Sequence, residues 1–181
     1  MIEVKKENGK ILVKSYYDSN FIAEVKQIGG KWEKPYWCVK QENEDLLEDK
    51  ILKILGFKKN DSIIKIEYNA DDFTEDNRVI IGKKTTVERS RRRMPVNLND
   101  TIVVAGGFNG WSGSAKNPSL GTDENTILRT TVSRSFLNTL SEDEKNKIKI
   151  IADINKDNLL KEKEALLKRL EEINKLLGSK K

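Results

Sequence analysis

The chain has 181 residues, a formal net charge of +5 and no histidine, with 36% hydrophobic and 35% charged residues. Without histidine, a Ser-His-Asp triad, a Cys-His nucleophile pair and histidine metal ligands are excluded. The single cysteine, Cys38, allows no disulfide within the chain and favours the cytoplasm. The basic excess fits an anionic partner without requiring one.

The N-terminal stretch predicts a two-stranded β-hairpin. Apolar and polar residues alternate over residues 2–14, and Asn8-Gly9 is a preferred pair for a type I′ turn. Lysines surround the tip of this hairpin, and residues 1–14 contain no long apolar run. We therefore expect neither a signal peptide nor a membrane-spanning segment.

Two helical patterns and two short strands follow the hairpin. In "YYDSNFIAEVKQIGG", apolar residues recur at helical spacing between a cap at Asp18 or Ser19 and a stop at Gly29-Gly30. "KWEKPYWCVK" predicts two strands around Pro35, and "ENEDLLEDKILKILG" predicts a helix capped by Asn43. Residues 1–56 are thus expected to form a small ββαββα unit.

The rest of the chain divides into three predicted parts. Residues 57–61 look like a linker, and 62–140 form a β-rich unit with turns at Gly82 and Gly106-Gly107. Residues 141–181 are expected to be a helical segment that begins with a capping box at Ser141. The predicted fold class is α+β, with an N-terminal hairpin, a β-rich second unit and a long C-terminal helix.

Leucine and isoleucine follow a 3.5-residue spacing in the C-terminal segment. The seam consists of Leu159, Leu166, Leu170, Ile173 and Leu177, and Lys163 occupies one of its positions. This pattern predicts either a homodimer through the helix or packing of the helix on its own domain.

Charge is unevenly distributed in the second unit. Residues 61–77 contain six acidic residues and one lysine, whereas residues 78–94 contain seven basic residues and one glutamate. Arginine forks fit phosphate oxygens, so the basic stretch predicts contacts to nucleic acid. Cross-strand ion pairing with the acidic stretch, or contact with an acidic protein, are the alternatives. The predicted contacts are Lys83, Lys84, Arg89, Arg91, Arg92 and Arg93.

The acidic stretch and the glycine-rich loop give no clear cofactor motif. The carboxylates match no EF-hand spacing, and "AGGFNGWSGSAKNPS" lacks the order of a P-loop. We therefore expect no metal, no cofactor and no catalytic residue. Tyr36 and Trp111 are candidates for base stacking, whereas Trp32 and Trp37 are expected in the core of the first unit.

Residues 16–39 resemble the HARP module of annealing helicases, which binds structured DNA. An aromatic residue precedes the helix, "I-G-G-K-W" ends it, and "W-C-V" lies in the next strand. The resemblance covers about an eighth of the chain. It implies nucleic-acid binding by a small αβ unit, such as those in proteins of bacterial mobile elements.

The whole layout resembles a type II-A anti-CRISPR protein of the group that acts through the guide RNA of a Cas9-type nuclease. The shared features are the lysine-edged hairpin, the small αβ unit, "SRRRM", the "GGF…SGS.KNP" loop and the leucine-rich helix. The resemblance implies a cytoplasmic inhibitor whose partners are the nuclease and its guide RNA. Its mode of action would be to block assembly of the nuclease with its guide, or to induce nuclease-dependent shortening of the guide.

On this interpretation the hairpin contacts RNA or the nuclease through Lys5, Lys6, Asn8, Lys10 and Lys14, with its tight turn in a groove. The alternative is that its apolar face completes the sheet of the first unit. Two other functions stay open, a DNA-binding accessory protein of a mobile element and an oligomeric protein-binding adaptor. The sequence favours a protein that is not an independent enzyme, because no residue has an ordinary pKa near 7.

Overall fold

The structure, a computed structural model, describes residues 2–109, 113–154 and 156–178, without the side chains of 152–162 and 176–178. Helices and antiparallel sheets are both present. The predicted α+β class is therefore confirmed.

The first unit is a four-stranded antiparallel sheet with the strand order β1-β2-β4-β3. The strands are β1 (Glu3–Glu7), β2 (Lys10–Lys14), β3 (Lys31–Glu33) and β4 (Tyr36–Lys40). Asn8 and Gly9 both have positive φ, at 49° and 71°, as a type I′ turn requires. The predicted hairpin is confirmed, and β2 pairs with β4 as well as with β1.

Two helices cover one face of this sheet. Helix α1 (Ser19–Gln27) begins at the predicted cap, because the Asp18 carboxylate accepts a hydrogen bond from the Phe21 amide at 2.8 Å. A 3₁₀ turn at Gln41–Asn43 leads into α2 (Glu44–Lys50), which continues as a π-helical turn at Ile51–Leu55. The helices and the sheet together bury Ile11, Val13, Phe21, Val25, Val39, Leu47, Ile51, Ile54 and Leu55.

Asn43 precedes α2, as predicted, but its side chain makes no capping hydrogen bond. Its amide donates to the carbonyl oxygen of Ile28 at 2.9 Å. The residue therefore ties the start of α2 to the end of α1.

The second unit contains three antiparallel sheets, with strand orders β13-β5-β12-β9, β6-β7-β8 and β10-β11. The strands are β5 (Ile63–Asn69), β6 (Thr74–Glu75), β7 (Arg78–Ile81), β8 (Lys84–Glu88), β9 (Thr101–Ala105), β10 (Phe108–Asn109), β11 (Gly121–Thr122), β12 (Ile127–Ser133) and β13 (Ile148–Ile154). Two 3₁₀ turns lie at Ala70–Phe73 and Arg134–Thr139.

Strict alternation along β5 places every second side chain in the core of the second unit. Ile64, Ile66 and Tyr68 are buried there with residues from β7, β8 and β12. Phe136 and Leu140 complete this core from the segment that follows β12. The second unit thus has a hydrophobic core of its own, separate from that of the first unit.

The predicted linker at 57–61 is held firmly against the second unit. The Lys58 amide donates to the Ser133 hydroxyl at 2.7 Å, and the Ser135 amide donates to the Asp61 carboxylate at 2.8 Å. The Ser133 amide donates to the Gly56 carbonyl oxygen at 2.8 Å. These hydrogen bonds fix the connection to the end of β12.

The C-terminal segment corrects one prediction. The capping box at Ser141 and Glu144 is present and starts a short helix, α3 (Glu142–Asn146). Residues Ile148–Ile154 then form strand β13, which pairs with β5, so residues 141–181 are not wholly helical. Ile148 packs against the core of the second unit, and this apolar contact favours a strand.

The last element among the described residues is α4 (Lys156–Gly178). No helix among the described residues has the length and apolar content to cross a membrane.

Candidate nucleic-acid interface

An open groove lies between α1 and the edge strand β3 of the first unit, with a volume of about 440 Å³. We call it the aromatic groove, and its lining residues are Ser15, Tyr16, Tyr17, Ile22, Lys26, Trp32 and Trp37. The Trp32 side chain is 54% exposed and Tyr17 is 72% exposed. Large aromatic side chains thus face solvent at a concave site.

The two tryptophans lie beside each other across the β3-β4 ladder. Trp32 and Trp37 are directly paired in register, and their ring centroids are 5.5 Å apart at an interplanar angle of 54°. The Lys26 ammonium lies 6.0 Å from the centroid of the Trp37 ring, within the range of a cation–π contact. The groove therefore combines flat apolar surfaces with a positive charge.

A tight turn after α1 brings β3 beside the helix. Gly29 has a φ of +78°, which favours glycine. A Cβ atom on Gly30 would lie 2.7 Å from the carbonyl oxygen of Val25, closer than van der Waals contact allows. Glycine at both positions thus allows the chain to turn closely back past the end of α1 into β3.

The sequence prediction placed both tryptophans in the core, and this is wrong for Trp32. Trp37 is half-buried and packs against the core of the first unit. Trp32 lies in a three-residue edge strand, where only Trp37 on β4 opposes it. A lone aromatic between charged residues in "KWEK" is the signal that pointed to an exposed side chain.

The hairpin lysines are exposed, but three of them are paired with glutamates. Lys5 forms a salt bridge with Glu3, and Lys10 forms one with Glu33 at 3.1 Å. Lys6 faces the helix side of the sheet, where it pairs with Glu44. Each glutamate raises the pKa of its lysine partner, so all three lysines stay protonated with a carboxylate close by.

The remaining hairpin candidates also belong to the sheet. Lys14 is exposed and stands opposite Glu3 in the β1-β2 register. Asn8 is a turn residue, and the carbonyl oxygen of the adjacent Gly9 accepts a hydrogen bond from the Gln41 amide at 3.1 Å. The ribbon is thus the edge of a four-stranded sheet, as in the alternative, and contact of its tip with RNA or the nuclease stays a prediction.

Tyr36, a predicted stacking residue, lies on the sheet face away from the helices. Lys5 lies 5.6 Å from the centroid of its ring and donates to its hydroxyl at 3.4 Å. The Tyr36 hydroxyl is also 3.5 Å from the Glu3 carboxylate. The ring is half-buried and offers less open surface than Trp32.

The basic stretch after β7 separates into exposed and buried side chains. Lys83, Arg91 and Arg92 are exposed, and so is Arg93, which has a positive φ of 68°. Lys84 and Arg89 are buried, with the whole Arg89 residue 1% exposed. The prediction of Lys84 and Arg89 as surface contacts is wrong, because their side chains do not reach solvent.

Lys84 connects the two units from inside. Its ammonium donates to the Tyr16 hydroxyl at 2.9 Å, to the Leu55 carbonyl oxygen at 3.0 Å and to the Asp100 carboxylate at 3.0 Å. Burial lowers the pKa of Lys84, and the charge of Asp100 opposes this effect. The same burial raises the pKa of Tyr16, which therefore stays a neutral hydrogen-bonding partner.

Arg89 stabilises the start of the glycine-rich loop. Its guanidinium donates to the carbonyl oxygen of Asn109, and its backbone pairs with Asn77. Among the described residues, its Nε and Nη1 atoms meet no hydrogen-bond acceptor. Trp111, the other predicted stacking residue, lies outside the described residues.

The acidic stretch is used mainly in structural contacts. Asp61 accepts hydrogen bonds from backbone amides, and Glu67 pairs with Arg129 across the β5-β12 ladder. Arg78 pairs with Glu88 at 2.8 Å, a cross-strand ion pair within the basic stretch itself and not with the acidic stretch. In the part of the chain that the structure describes, no three acidic or cysteine side chains are grouped to hold a metal ion.

Comparisons with known proteins identify no relative of this chain. Neither the family profiles nor the curated proteins nor the solved structures contain a match. The two resemblances seen in the sequence therefore stay predictions.

Proposed function

We propose that the protein binds unpaired nucleic acid through the aromatic groove and that its target is the guide RNA of a Cas9-type nuclease. The observation that carries the binding proposal is the exposed Trp32 ring beside Trp37, with Lys26 next to them. The choice of guide RNA as target rests on the resemblance to type II-A anti-CRISPR proteins.

The exposure of Trp32 favours a binding role over a packing role. The core of the first unit is complete without this ring, because Trp37 and the residues of α1 and α2 close it. Stacking of a base on an aromatic side chain is worth about 1–3 kcal/mol and tolerates any base. A groove of about 440 Å³ lies within the usual size range of ligand sites.

Lys26 lines the aromatic groove, and two further lysines belong to the adjoining edge strand and its turn. Lys26 belongs to α1, Lys31 to β3, and Lys34 to the turn that follows β3. Within residues 2–109, 113–154 and 156–178, none of these three lysines forms a salt bridge, in contrast to Lys5, Lys6 and Lys10. Lys26, which lines the groove, is therefore available to a phosphate while a base stacks on Trp32.

The first experiment measures the affinity of the full chain for labelled guide RNA, a single-stranded DNA of the same length and a duplex. We expect tight binding to the guide RNA with strong salt dependence. Trp32→Ala should weaken binding about 5- to 150-fold, the factor that corresponds to one stacked base. Leu46→Ala is the matched control, because Leu46 is an exposed apolar residue of the same unit that lies outside the groove.

Two lysine variants separate the groove from the hairpin. The triple change Lys26→Ala, Lys31→Ala and Lys34→Ala should reduce both the affinity and the salt slope more than the triple change Lys5→Ala, Lys6→Ala and Lys10→Ala. The reverse order would assign the interface to the hairpin. Unchanged binding by Trp32→Ala would reject the aromatic groove, and tighter binding to DNA would favour the DNA-binding accessory function.

A second experiment tests the inhibitor role separately. Guide RNA is incubated with the protein in the presence and absence of a Cas9-type nuclease, and guide length and target cleavage are measured. Loss of target cleavage, or guide shortening only when the nuclease is present, would support the inhibitor. Full nuclease activity at saturating protein would reject that role while leaving RNA binding intact. Degradation of the guide by the protein alone would show that it is an enzyme.

A further inference from the structure

The C-terminal helix α4 carries an apolar stripe that the described part of the chain leaves uncovered. All residues from 163 to 175 are exposed. Leu166 is 63% exposed, Leu170 is 53% exposed and Ile173 is 40% exposed. These residues repeat at spacings of four and three, which is the seam pattern of a helix that pairs with another helix.

Leu167 widens this stripe on one side only. It is 50% exposed and directly follows the seam residue Leu166. Positions of this kind flank the seam and contact the partner helix, and their chemistry selects partner and orientation. The opposite flank carries Arg169, which makes a 3.0 Å salt bridge with Glu172 of its own helix.

A parallel pair of two α4 helices fits this sequence poorly. Equal positions face each other in such a pair, so Lys163 would meet Lys163 of the second copy in the seam. Arg169 would lie opposite position 174, an asparagine, with no charge to pair. Like charges at facing seam positions are destabilising.

An antiparallel pair centred near Ala165 removes these conflicts. Within the seam, Lys163 is then opposite Leu166 of the second copy. On one flank of the seam, Arg169 lies beside position 162 of the second copy, which is a glutamate in the sequence. On the other flank, position 167 lies beside position 160 of the second copy, and both are leucine. Because the pair has twofold symmetry, each of these favourable apposed positions occurs twice.

We propose that α4 binds α4 of a second copy of this chain in an antiparallel pair. The charge pattern at positions 162 and 169 specifies the orientation, and the exposed leucines supply the apolar contact. The inference is independent of the proposed nucleic-acid binding, because the aromatic groove lies in a different unit.

The test uses the full chain and measures its molar mass by analytical ultracentrifugation at micromolar concentrations. We expect a dimer, and Leu166→Glu with Leu170→Glu should give a folded monomer. Lys168→Glu is the matched control, because this substitution changes the charge on the helix face that points away from the seam. A wild-type monomer at about 100 µM, or a dimer that survives both leucine changes, would overturn the proposal.

A charge exchange tests the orientation. Arg169→Glu should weaken the dimer about tenfold because it sets like charges at two apposed positions, and the added change Glu162→Arg should restore it. In a parallel pair the second change would restore nothing, and that result would overturn the antiparallel assignment.

A distance measurement gives the orientation directly. Asn174→Cys is spin-labelled, and the unchanged chain is the control because its buried Cys38 should take up little label. At a rise of 1.5 Å per residue, the antiparallel register separates the two labels by about 30 Å along the helix axis. A separation of about 15 Å, close to the width of a helix pair, would overturn the proposal.

Discussion

In the first unit, the Trp32 and Tyr17 side chains face solvent, whereas in the second unit Tyr68, Phe73 and Phe136 are enclosed by the core. Both units are built from antiparallel strands, but the first has a short edge strand beside a helix. The second closes its core with the 3₁₀ segment and the strand that follow β12. The first unit therefore buries Phe21 in its core and leaves Trp32 and Tyr17 available to a ligand, whereas these three aromatic residues of the second unit stabilise its fold.

The largest expected effect is a loss of stability, and it tests the comparison between the aromatic residues of the two units. Phe136→Ala should lower the free energy of unfolding by about 3–5 kcal/mol, because it leaves a cavity in a closed core. Trp32→Ala should lower it by less than about 1 kcal/mol, because more than half of that side chain already meets solvent. Urea unfolding measures both values, and similar losses in the two variants would contradict the comparison.

The buried lysine gives the next effect. Lys84→Met should lower the free energy of unfolding by about 3 kcal/mol, because it leaves Asp100 without its charge partner. The double change Lys84→Met with Asp100→Leu should recover part of this loss. The matched control is Lys147→Met, which breaks an exposed pair with Asp143 and should cost under about 1 kcal/mol. Equal losses in Lys84→Met and the control would show that the link between the units contributes little.

A smaller effect depends on pH. Burial raises the pKa of Asp18 above its ordinary value of 3.8, so at pH values between the ordinary and the raised pKa the folded state holds a proton that the unfolded state has lost. Relative to Asp18→Asn, the stability of the wild type should rise as the pH falls through the raised pKa towards 3.8. Thermal unfolding between pH 7 and pH 4 measures this difference. A constant difference would mean that the Asp18 carboxyl titrates normally.

The smallest effect concerns the paired hairpin lysines. Glu33→Gln removes the partner of Lys10, so RNA affinity should rise about twofold and the salt slope should steepen by up to about one. Glu124→Gln is the control, because Glu124 forms no salt bridge within the described ranges of the chain. A salt slope equal to that of the control would place Lys10 outside the interface.

Local patterns predicted much of the fold. The Asn8-Gly9 turn, the cap at Asp18 and the capping box at Ser141 depend on neighbouring residues, and the structure confirms all three. Strand β13 was missed although its isoleucine-rich sequence "IKIIADI" is a local signal for a strand, and its pairing with β5 is a long-range contact. The order of the strands in each sheet could not be predicted either, because contacts between distant segments decide it.

The candidate site was harder to predict, because exposure depends on what packs around each side chain. Lys84 and Arg89 look like their exposed neighbours in the sequence, yet both are buried. Lys84 is buried because Tyr16, Leu55 and Asp100 supply its hydrogen bonds from distant parts of the chain. Trp32 was misplaced for the opposite reason, because it lies on the edge strand β3, which has a neighbouring strand on one side only.

The position of β5 has a consequence for the order in which the chain folds. The sheet of the first unit pairs segments that lie within the first 40 residues, so its contacts are available early in synthesis. Strand β5 instead pairs with β12 and β13, whose residues follow far later in the chain. Because chain segments fold as they emerge, we expect the first unit to fold during translation, while β5 stays unpaired until its two neighbours have been synthesised.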